Sequence, residues 1–396
     1  MERAFAGIDV GKEFHWVVAV GEKGEELLSR RVENTQEDLL SVMAEVGILA
    51  EHIRWALDMT FGPAALALAL LVSEDQEVFY VPGLVVNRSR GALAGETKTD
   101  RRDALVIAEN ARLRRNLARY EPSENTVASL RLLVGHRRDL VADRTRLINR
   151  LREVLVGVFP GLERTLDLKT QGAPRLLLRY QTPLKIRRAG TGRITDYLRG
   201  QGVWKAEQLA EQAVRAAEAQ TVRLPAEELS ARLASELAGE LVRLNERLRR
   251  VDEELEACFF SHAQAKILVS LPGMGPCLGA EFLVAVGSLS AFESADKLAA
   301  YAGLAPVSSD SGKMQGRLRR PHGGNRSLKQ ALYQSAFASL KTPASRAFYD
   351  RKRSEGKKHH QALLALARRR VNVLWAMLRD GTLFDQQVAI TETAPA

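Results

Sequence analysis

Apolar and polar residues along the first part of the chain fall into short runs. Arg3 to Val10 is apolar except at Arg3 and Asp9, as a buried strand would be, and Glu13 to Val20 places Phe14, Trp16, Val18 and Val20 on one face. A Gly21-Glu22-Lys23-Gly24 turn leads into a third strand near Glu26–Val32. Residues 36–49 follow a helical period, Ile53–Leu57 is a short apolar strand, Gly62–Leu71 is an Ala/Leu-rich helix, and Val78–Val81 is a strand ended by Pro82-Gly83. A helix begins near Thr99. Three strands in succession, then helices alternating with short strands, predict a mixed α/β domain over residues 1–120.

The period then changes. From Thr126 to Val158, Leu130, Val134, Val141, Ile148, Leu151 and Leu155 share one stripe, with Arg137, Arg138, Arg144, Arg146, Arg150 and Arg152 largely elsewhere. This predicts a long basic amphipathic helix, stopped by Pro160-Gly161. Residues 170–203, with several Gly and Pro and no sustained period, read as a connector. Beyond Pro225, Leu237, Leu241, Leu244, Leu248, Val251 and Leu255 alternate by four and three, as a coiled-coil seam does. Two partners fit that seam: helix 126–158 of the same chain, in a hairpin, or a second copy. Residues 121–262 thus form a helical, coiled-coil-like region.

A mainly helical domain over 263–384 completes the chain. Residues 266–287 read as two helices around Leu271-Pro272-Gly273-Met274-Gly275-Pro276, a turn that resembles a helix-hairpin-helix phosphate contact or is a generic turn. Ala305–Gly324 is a loop rich in Ser, Gly and Arg, further helices lie near Ser327–Leu340 and Gln361–Leu378, and residues 385–396 are expected to be a disordered tail.

With 396 residues, 45% hydrophobic and 27% charged, the chain has the composition of a soluble globular protein and is too long for a disulfide miniprotein. The longest apolar run, around Ala64 to Val72, is too short for a membrane span, and residues 1–10 lack the pattern of a secretory signal, so a cytoplasmic protein with no membrane partner is expected. Cys258 and Cys277 have no zinc-type spacing and are expected to be buried and inert. The net charge is +10, and its distribution says more: residues 112–152, 313–329 and 346–370 carry +7, +6 and +7, so the rest of the chain is net acidic. Three basic bands on an acidic body favour a nucleic-acid partner.

Asp9 interrupts an apolar strand, Asp58 follows the Ile53–Leu57 strand, and Asp100 and Asp103 stand three apart, on one face of a helix. Taken singly, Asp100 or Asp103 is a cap or surface acid. As an ordered set the four carboxylates suit a site holding two Mg²⁺ (or Mn²⁺) ions, since a carboxylate within a buried strand is costly unless a cation neutralises it.

With these residues in place, the chain resembles the insertion-sequence transposases of the IS-one-ten type, which are bridge-RNA-guided DNA recombinases. In the first half the resemblance rests on Gly7-Ile8-Asp9-Val10-Gly11-Lys12, Ala56-Leu57-Asp58-Met59-Thr60 and Lys98-Thr99-Asp100-Arg101-Arg102-Asp103-Ala104. In the second it rests on Leu271 to Pro276, Ala300-Tyr301-Ala302-Gly303-Leu304-Ala305-Pro306, Asp310-Ser311-Gly312-Lys313, and Gly324-Asn325-Arg326 before Ala331-Leu332-Tyr333. It implies a ribonuclease-H-like (RuvC-like) domain with an Asp-Glu-Asp-Asp motif and a C-terminal transposase domain whose serine joins covalently to DNA. Asp9, Asp100 and Asp103 match the motif and Ser311 the nucleophile; Asp58 stands where the pattern has Glu, and Ser308 and Ser309 are alternatives to Ser311. The resemblance also implies donor and target DNA, a guide RNA, and a homodimer that becomes a tetramer at synapsis.

Two chemical shortages point to one composite site. A serine hydroxyl needs cations or a base to become an effective nucleophile, and Lys313, Arg317, Arg319 and Arg320 follow Ser311. The carboxylates have no nucleophile of their own beyond water. These loop cations, with Arg137, Arg138, Arg144, Arg146 and Arg150, are the candidate nucleic-acid contacts. The leading expectation is therefore an RNA-guided, site-specific DNA recombinase. A metal-dependent nuclease or resolvase acting on branched DNA needs only the carboxylates, and a decayed, non-catalytic nucleic-acid-binding copy needs neither.

Overall fold

A computed structural model describes residues 2–90, 99–115, 117–120, 125–289, 292–308, 318–319, 321 and 323–385. The chain divides into two compact units, 1–122 and 123–396.

The first unit is a mixed sheet between helices. Its elements are β1 (Arg3–Asp9), β2 (Phe14–Gly21), β3 (Glu26–Glu33), α1 (Gln36–Gly47), β4 (His52–Leu57), α2 (Ala65–Ser73), β5 (Glu77–Tyr80), α3 (Gly83–Arg90), α4 (Asp100–Leu113) and β6 (Ala118–Arg119). The strand order is β3-β2-β1-β4-β5-β6. β1 to β3 form an antiparallel meander, whereas β1, β4 and β5 run parallel, with Gly7 opposite Ala56 and Ile8 opposite Leu57.

Strand alternation divides the core between the two faces of the sheet. Ala6, Ile8, Val17, Ala19, Trp55 and Leu57 pack with α1 and α2 through Leu39, Val42, Leu68 and Leu71. On the other face Val18 and Val20 meet Ala104 and Ala108 of α4, while Ala56 meets Ile107 and Ala111. The approach of α4 depends on Gly7, because a Cβ there would overlap the Ala104 carbonyl oxygen and the Ala108 amide nitrogen.

The second unit is helical around a long hairpin. It contains α5 (Asn125–Val158), α6 (Pro160–Thr165), α7 (Gly172–Arg179), α8 (Pro183–Gly200), α9 (Ala206–Glu218), α10 (Glu227–Phe260), α11 (Ala265–Ser270), α12 (Pro276–Val286), α13 (Ala295–Tyr301), β7 (Val307–Ser308), β8 (Leu318–Arg319), α14 (Arg326–Ala338), α15 (Pro343–Ser354) and α16 (His359–Asp380). α5 and α10 lie antiparallel along their length. Leu130 clusters with Leu255 and Phe259, Leu140 with Leu244, Leu248 and Val251, and Leu155 with Ala238 and Leu241. The four-and-three seam of α10 is thus filled within the chain. One end of the hairpin joins a core built from α6 to α9, and the other joins a core built from α11, α12, α13, α14 and α16.

The stretch 170–203, expected to be a connector, is instead α7 and α8, and Leu176, Leu177, Ile186, Ile194 and Leu198 are buried in that first core. Its glycines and prolines begin, kink and end helices: Pro183 follows the Thr182 cap, Gly190 at φ 66° breaks α8 internally, and Gly202 at φ 71° follows its end. Helix α15 escaped the sequence reading because its apolar face is short, Ala344, Ala347 and Phe348 alone, of which Phe348 packs partly buried against the C-terminal core. The two cysteines are free and half-buried, and burial pushes both thiols up. Among the described residues no helix is long and apolar enough to cross a membrane.

The Gly7 contact makes a direct prediction. Gly7→Ala forces β1 and α4 apart and should cost about 1–3 kcal/mol as overpacking does, read as a lowered urea midpoint of the full chain by circular dichroism. Gly47→Ala, where an added Cβ meets nothing within 4 Å, should leave the midpoint nearly unchanged. Equal midpoints for the two variants would mean that α4 does not depend on this contact.

Candidate active site

Asp9 is the last residue of β1 and Asp58 directly follows β4. Because Ile8 and Leu57 are paired neighbours on parallel strands, the two aspartates stand side by side where those strands end. Alternation also gives their face. Ile8 and Leu57 belong to the α1/α2 side, which leaves Asp9 and Asp58 at the register positions of the α4 side, in line with Gly7 and Ala56. Helix α4 brings the other two carboxylates to this edge. Asp103 is buried at 4% exposure, and Asp100 lies exposed one turn earlier, at the positive end of the helix dipole.

Three local interactions fix α4 in that position. Thr99 caps it, its Oγ1 accepting the Arg102 N–H at 3.3 Å. Arg101 reaches back to β3, where its Nη2 donates to both carboxylate oxygens of Glu26 at 2.8 Å and its Nε to Ser29 Oγ at 3.2 Å. At the other end Arg54 of β4 donates to the carbonyls of Ala111 and Arg114 at 3.1 Å, with its guanidinium 3.9 Å over the Phe79 ring.

A cleft of about 300 Å³ opens at this edge, bordered by Asp9, the Val10–Phe14 turn, Trp16 and Asp100. His15, which the sequence reading passed over, supports the turn from the opposite face of β2. It is fully buried, and its Nδ1 accepts the Gly11 N–H at 3.2 Å. Burial pushes the imidazole below its ordinary range, which keeps the neutral, accepting form that this bond requires. The signal was present, since a polar residue at an inward position of a doubly buried strand needs a partner.

All four donors are carboxylate oxygens, the ligands that suit a hard divalent cation. Their chemistry suits such an ion, and Asp9 and Asp100 border the same cleft, but among the described residues no three His, Cys, Asp or Glu side chains converge closely enough to hold one.

In the second unit, Ser311, Lys313, Arg317 and Arg320 lie outside the described residues, as does the tail beyond Asp385. The strands flanking them in sequence are described. β7 pairs with β8, Val307 opposite the exposed Arg319. The motifs on either side meet each other. Gly303 and Gly324, both at positive φ, touch so closely that a Cβ on Gly324 would lie 2.6 Å from the Gly303 nitrogen, and Asn325 donates through its backbone N–H to the Tyr301 carbonyl at 2.7 Å.

The turn before α12 is also tightly packed. A Cβ on Gly273 (φ 81°) would lie 2.6 Å from the Ser335 carbonyl oxygen, and buried Arg370 donates to the Pro272 carbonyl at 2.6 Å and to Ser335 Oγ at 2.7 Å. Gly273 therefore serves packing against α14, while the Gly275 side is open.

The basic helix α5 divides its arginines between two duties. Arg137 pairs with Asp252 of α10 at 2.5 Å, and Arg144 donates to the Lys169 carbonyl at 2.5 Å. Arg138 and Arg150 are exposed, and so is Arg146, which pairs with Asp143 on its own helix.

Comparison with known proteins agrees with both halves of this architecture. Residues 6–160 match the transposase family of the IS110 type named for its DEDD carboxylates, which suggests a ribonuclease-H-like fold and divalent-metal dependence, and residues 265–350 match the family described as "Transposase IS116/IS110/IS902 family". The 44.8 kDa protein of insertion element IS116 from Streptomyces clavuligerus is 47% identical over 99% of each chain. The 42 kDa protein of IS900 from Mycobacterium paratuberculosis is 44% identical over 96% of each, and the 43.6 kDa protein of IS110 from Streptomyces coelicolor is 38% identical over 97% of this chain and 96% of its own. A carboxylate edge on a mixed sheet, followed by a helical half with its own family match, places this chain in the IS110/IS116 family of insertion-sequence transposases, enzymes that act on DNA.

Proposed function

We propose that the protein is a site-specific recombinase that moves an insertion sequence by serine-mediated strand exchange, guided by an RNA encoded on the element. The observation that carries this reading is the shared edge of Asp9, Asp58, Asp100 and Asp103 on a chain whose two halves both match transposase families. Asp9, Asp58, Asp100 and Asp103 would hold Mg²⁺ or Mn²⁺, which when bound neutralises charge on the scissile phosphate and its leaving oxygen. The guide RNA, and a homodimer that becomes a tetramer at synapsis, rest on the family resemblance.

In the reaction, Ser311 Oγ attacks the scissile phosphorus. A serine–phosphate ester forms as the phosphodiester P–O bond to the departing strand breaks, and the serine proton ends on the departing deoxyribose hydroxyl. A hydroxyl of the partner strand reverses the step, releasing serine and restoring a phosphodiester. The ester conserves bond energy between cutting and rejoining, which hydrolysis would discard. Lys313, Arg317, Arg319 and Arg320 supply cations to the developing phosphorane charge. Exposed Arg138, Arg146 and Arg150 supply sequence-independent contacts to the backbone of the nucleic acid.

Asp103→Asn should abolish DNA cleavage and exchange while leaving DNA binding within about twofold, measured by gel assay and fluorescence anisotropy on the same preparation. Full exchange by this variant would remove Asp103 from the site. Asp58→Ala should also be inactive, and Asp58→Glu should lose much of the activity because the pocket has adapted to the shorter arm.

Ser311→Ala should bind DNA normally yet lose both exchange and the covalent adduct, whereas Ser308→Ala and Ser309→Ala keep them. A labelled, nicked duplex that traps the intermediate, run on a denaturing gel with mass mapping of the adducted peptide, makes the measurement. An adduct on Ser311→Ala would place the nucleophile elsewhere. Metal-dependent cleavage by the parent with no adduct would support the nuclease instead.

A further inference from the structure

Helix α10 carries a basic surface that the seam pattern concealed. Two open clefts flank it. One, of about 600 Å³, lies against α7 and is bordered by Arg175, Arg243, Arg247 and Arg250; the other, of about 460 Å³, lies against α5 and is bordered by Arg146, Arg150, Arg243 and Arg247. Arg243 and Arg247 border both, so they form the ridge between them. They are one helical turn apart on the same side of α10, roughly 6 Å along its axis, while Leu244 and Leu248 beside them are buried.

Of the three acidic residues bordering these clefts, two are engaged in ion pairs, and the third, exposed Glu240, borders the α5 cleft beside Arg243 without one. Asp143 pairs with Arg146, and Glu246 pairs with Arg249 at 2.6 Å and lies 3.8 Å from Arg250. Among the described residues Arg150, Arg243 and Arg247 have no carboxylate within ion-pair distance, although all three are exposed. Three guanidiniums without ion pairs, with Glu240 as the one unpaired carboxylate bordering their cleft, leave a net positive surface that attracts a polyanion. Their forked donors match phosphate oxygens better than any single point charge would.

We propose that Arg243 and Arg247 of α10, with Arg150 of α5, form a second backbone-binding surface that grips duplex DNA, the phosphodiester groups seating in the clefts on either side of the ridge. This rests on the reading of the chain as a DNA-processing transposase, and it extends the electrostatic contact from α5 onto the helix it pairs with. Arg137 and Arg144, by contrast, are positioning residues within the helical unit.

The test uses the full-length protein, a labelled 40-base-pair duplex and fluorescence anisotropy from 50 to 200 mM salt, comparing the parent with the Arg243→Gln/Arg247→Gln and Arg243→Lys/Arg247→Lys double variants. Removing two phosphate contacts lowers the slope of log K against log salt by about 1.8, so the affinity lost across that range becomes about tenfold smaller for the Gln pair. The Lys pair keeps the parental slope, which separates lost charge from lost fold.

If the parent slope is steep and the Gln pair matches it, the ridge proposal fails and the DNA-processing reading stands. A flat slope for the parent itself overturns both. The same titration on an RNA duplex supplies the other arm: a reduced slope there, with the DNA slope unchanged, assigns the ridge to RNA and overturns the proposal.

Discussion

The contact between Gly7 and the backbone of α4 sets the geometry of the whole first unit. With no Cβ in the way, the helix lies directly on β1, and Ala104 and Ala108, which meet the sheet, present only methyl groups to it. That contact is two residues from Asp9 along the strand and one residue from Asp103 along the helix. A small error in the helix–strand distance therefore becomes an error in carboxylate placement. Glu26 and Ser29 at one end of α4, and Arg54 at the other, prevent rotation about that single point of contact.

An analogous arrangement closes the C-terminal core, but it uses a buried cation. Arg370, 6% exposed, lies among apolar neighbours, and burial lowers its guanidinium to about 10. Removing such a charge from water is expensive, and its donors to the Pro272 carbonyl and Ser335 Oγ recover part of that cost. The interaction joins three separate segments of sequence: the turn before α12, the last turn of α14 and the middle of α16.

Much of this was legible in the sequence because it was written in period. The strands of the first unit, the long basic helix and the seam of α10 all follow from two- and four-three alternation, and the seam's partner proved to be α5. Asp9 and Asp58 were legible as strand-end positions and Asp100 and Asp103 as a helix start, and the paired ends of β1 and β4 set the two strand carboxylates side by side. What escaped was information held in contacts between distant segments. The glycines and prolines of 170–203 resemble a loop until each is seen at a helix boundary. Nothing in the local sequence separates Arg137, committed to Asp252, from Arg150, which faces solvent. His15 needed knowledge of which strand face is buried before its role under the Gly11 turn was visible.

The hairpin of α5 and α10 also bears on how the chain reaches this structure. Its two arms are separated in sequence by 159–226, so α5 leaves the ribosome with its leucine stripe uncovered well before α10 exists. Pairings of such high sequence separation close slowly, and exposed apolar stripes invite misassembly in the interval. The helices between the arms shorten that exposure. α6 to α9 cover Ile148, Leu151 and Leu155 with neighbours made directly after them, so half of α5 has a local core to join during synthesis. Leu130 and Val134 have none until Leu255 and Phe259 arrive. The N-terminal half of α5 is thus the last part of the spine to be secured, and a nascent chain is most vulnerable to aggregation there.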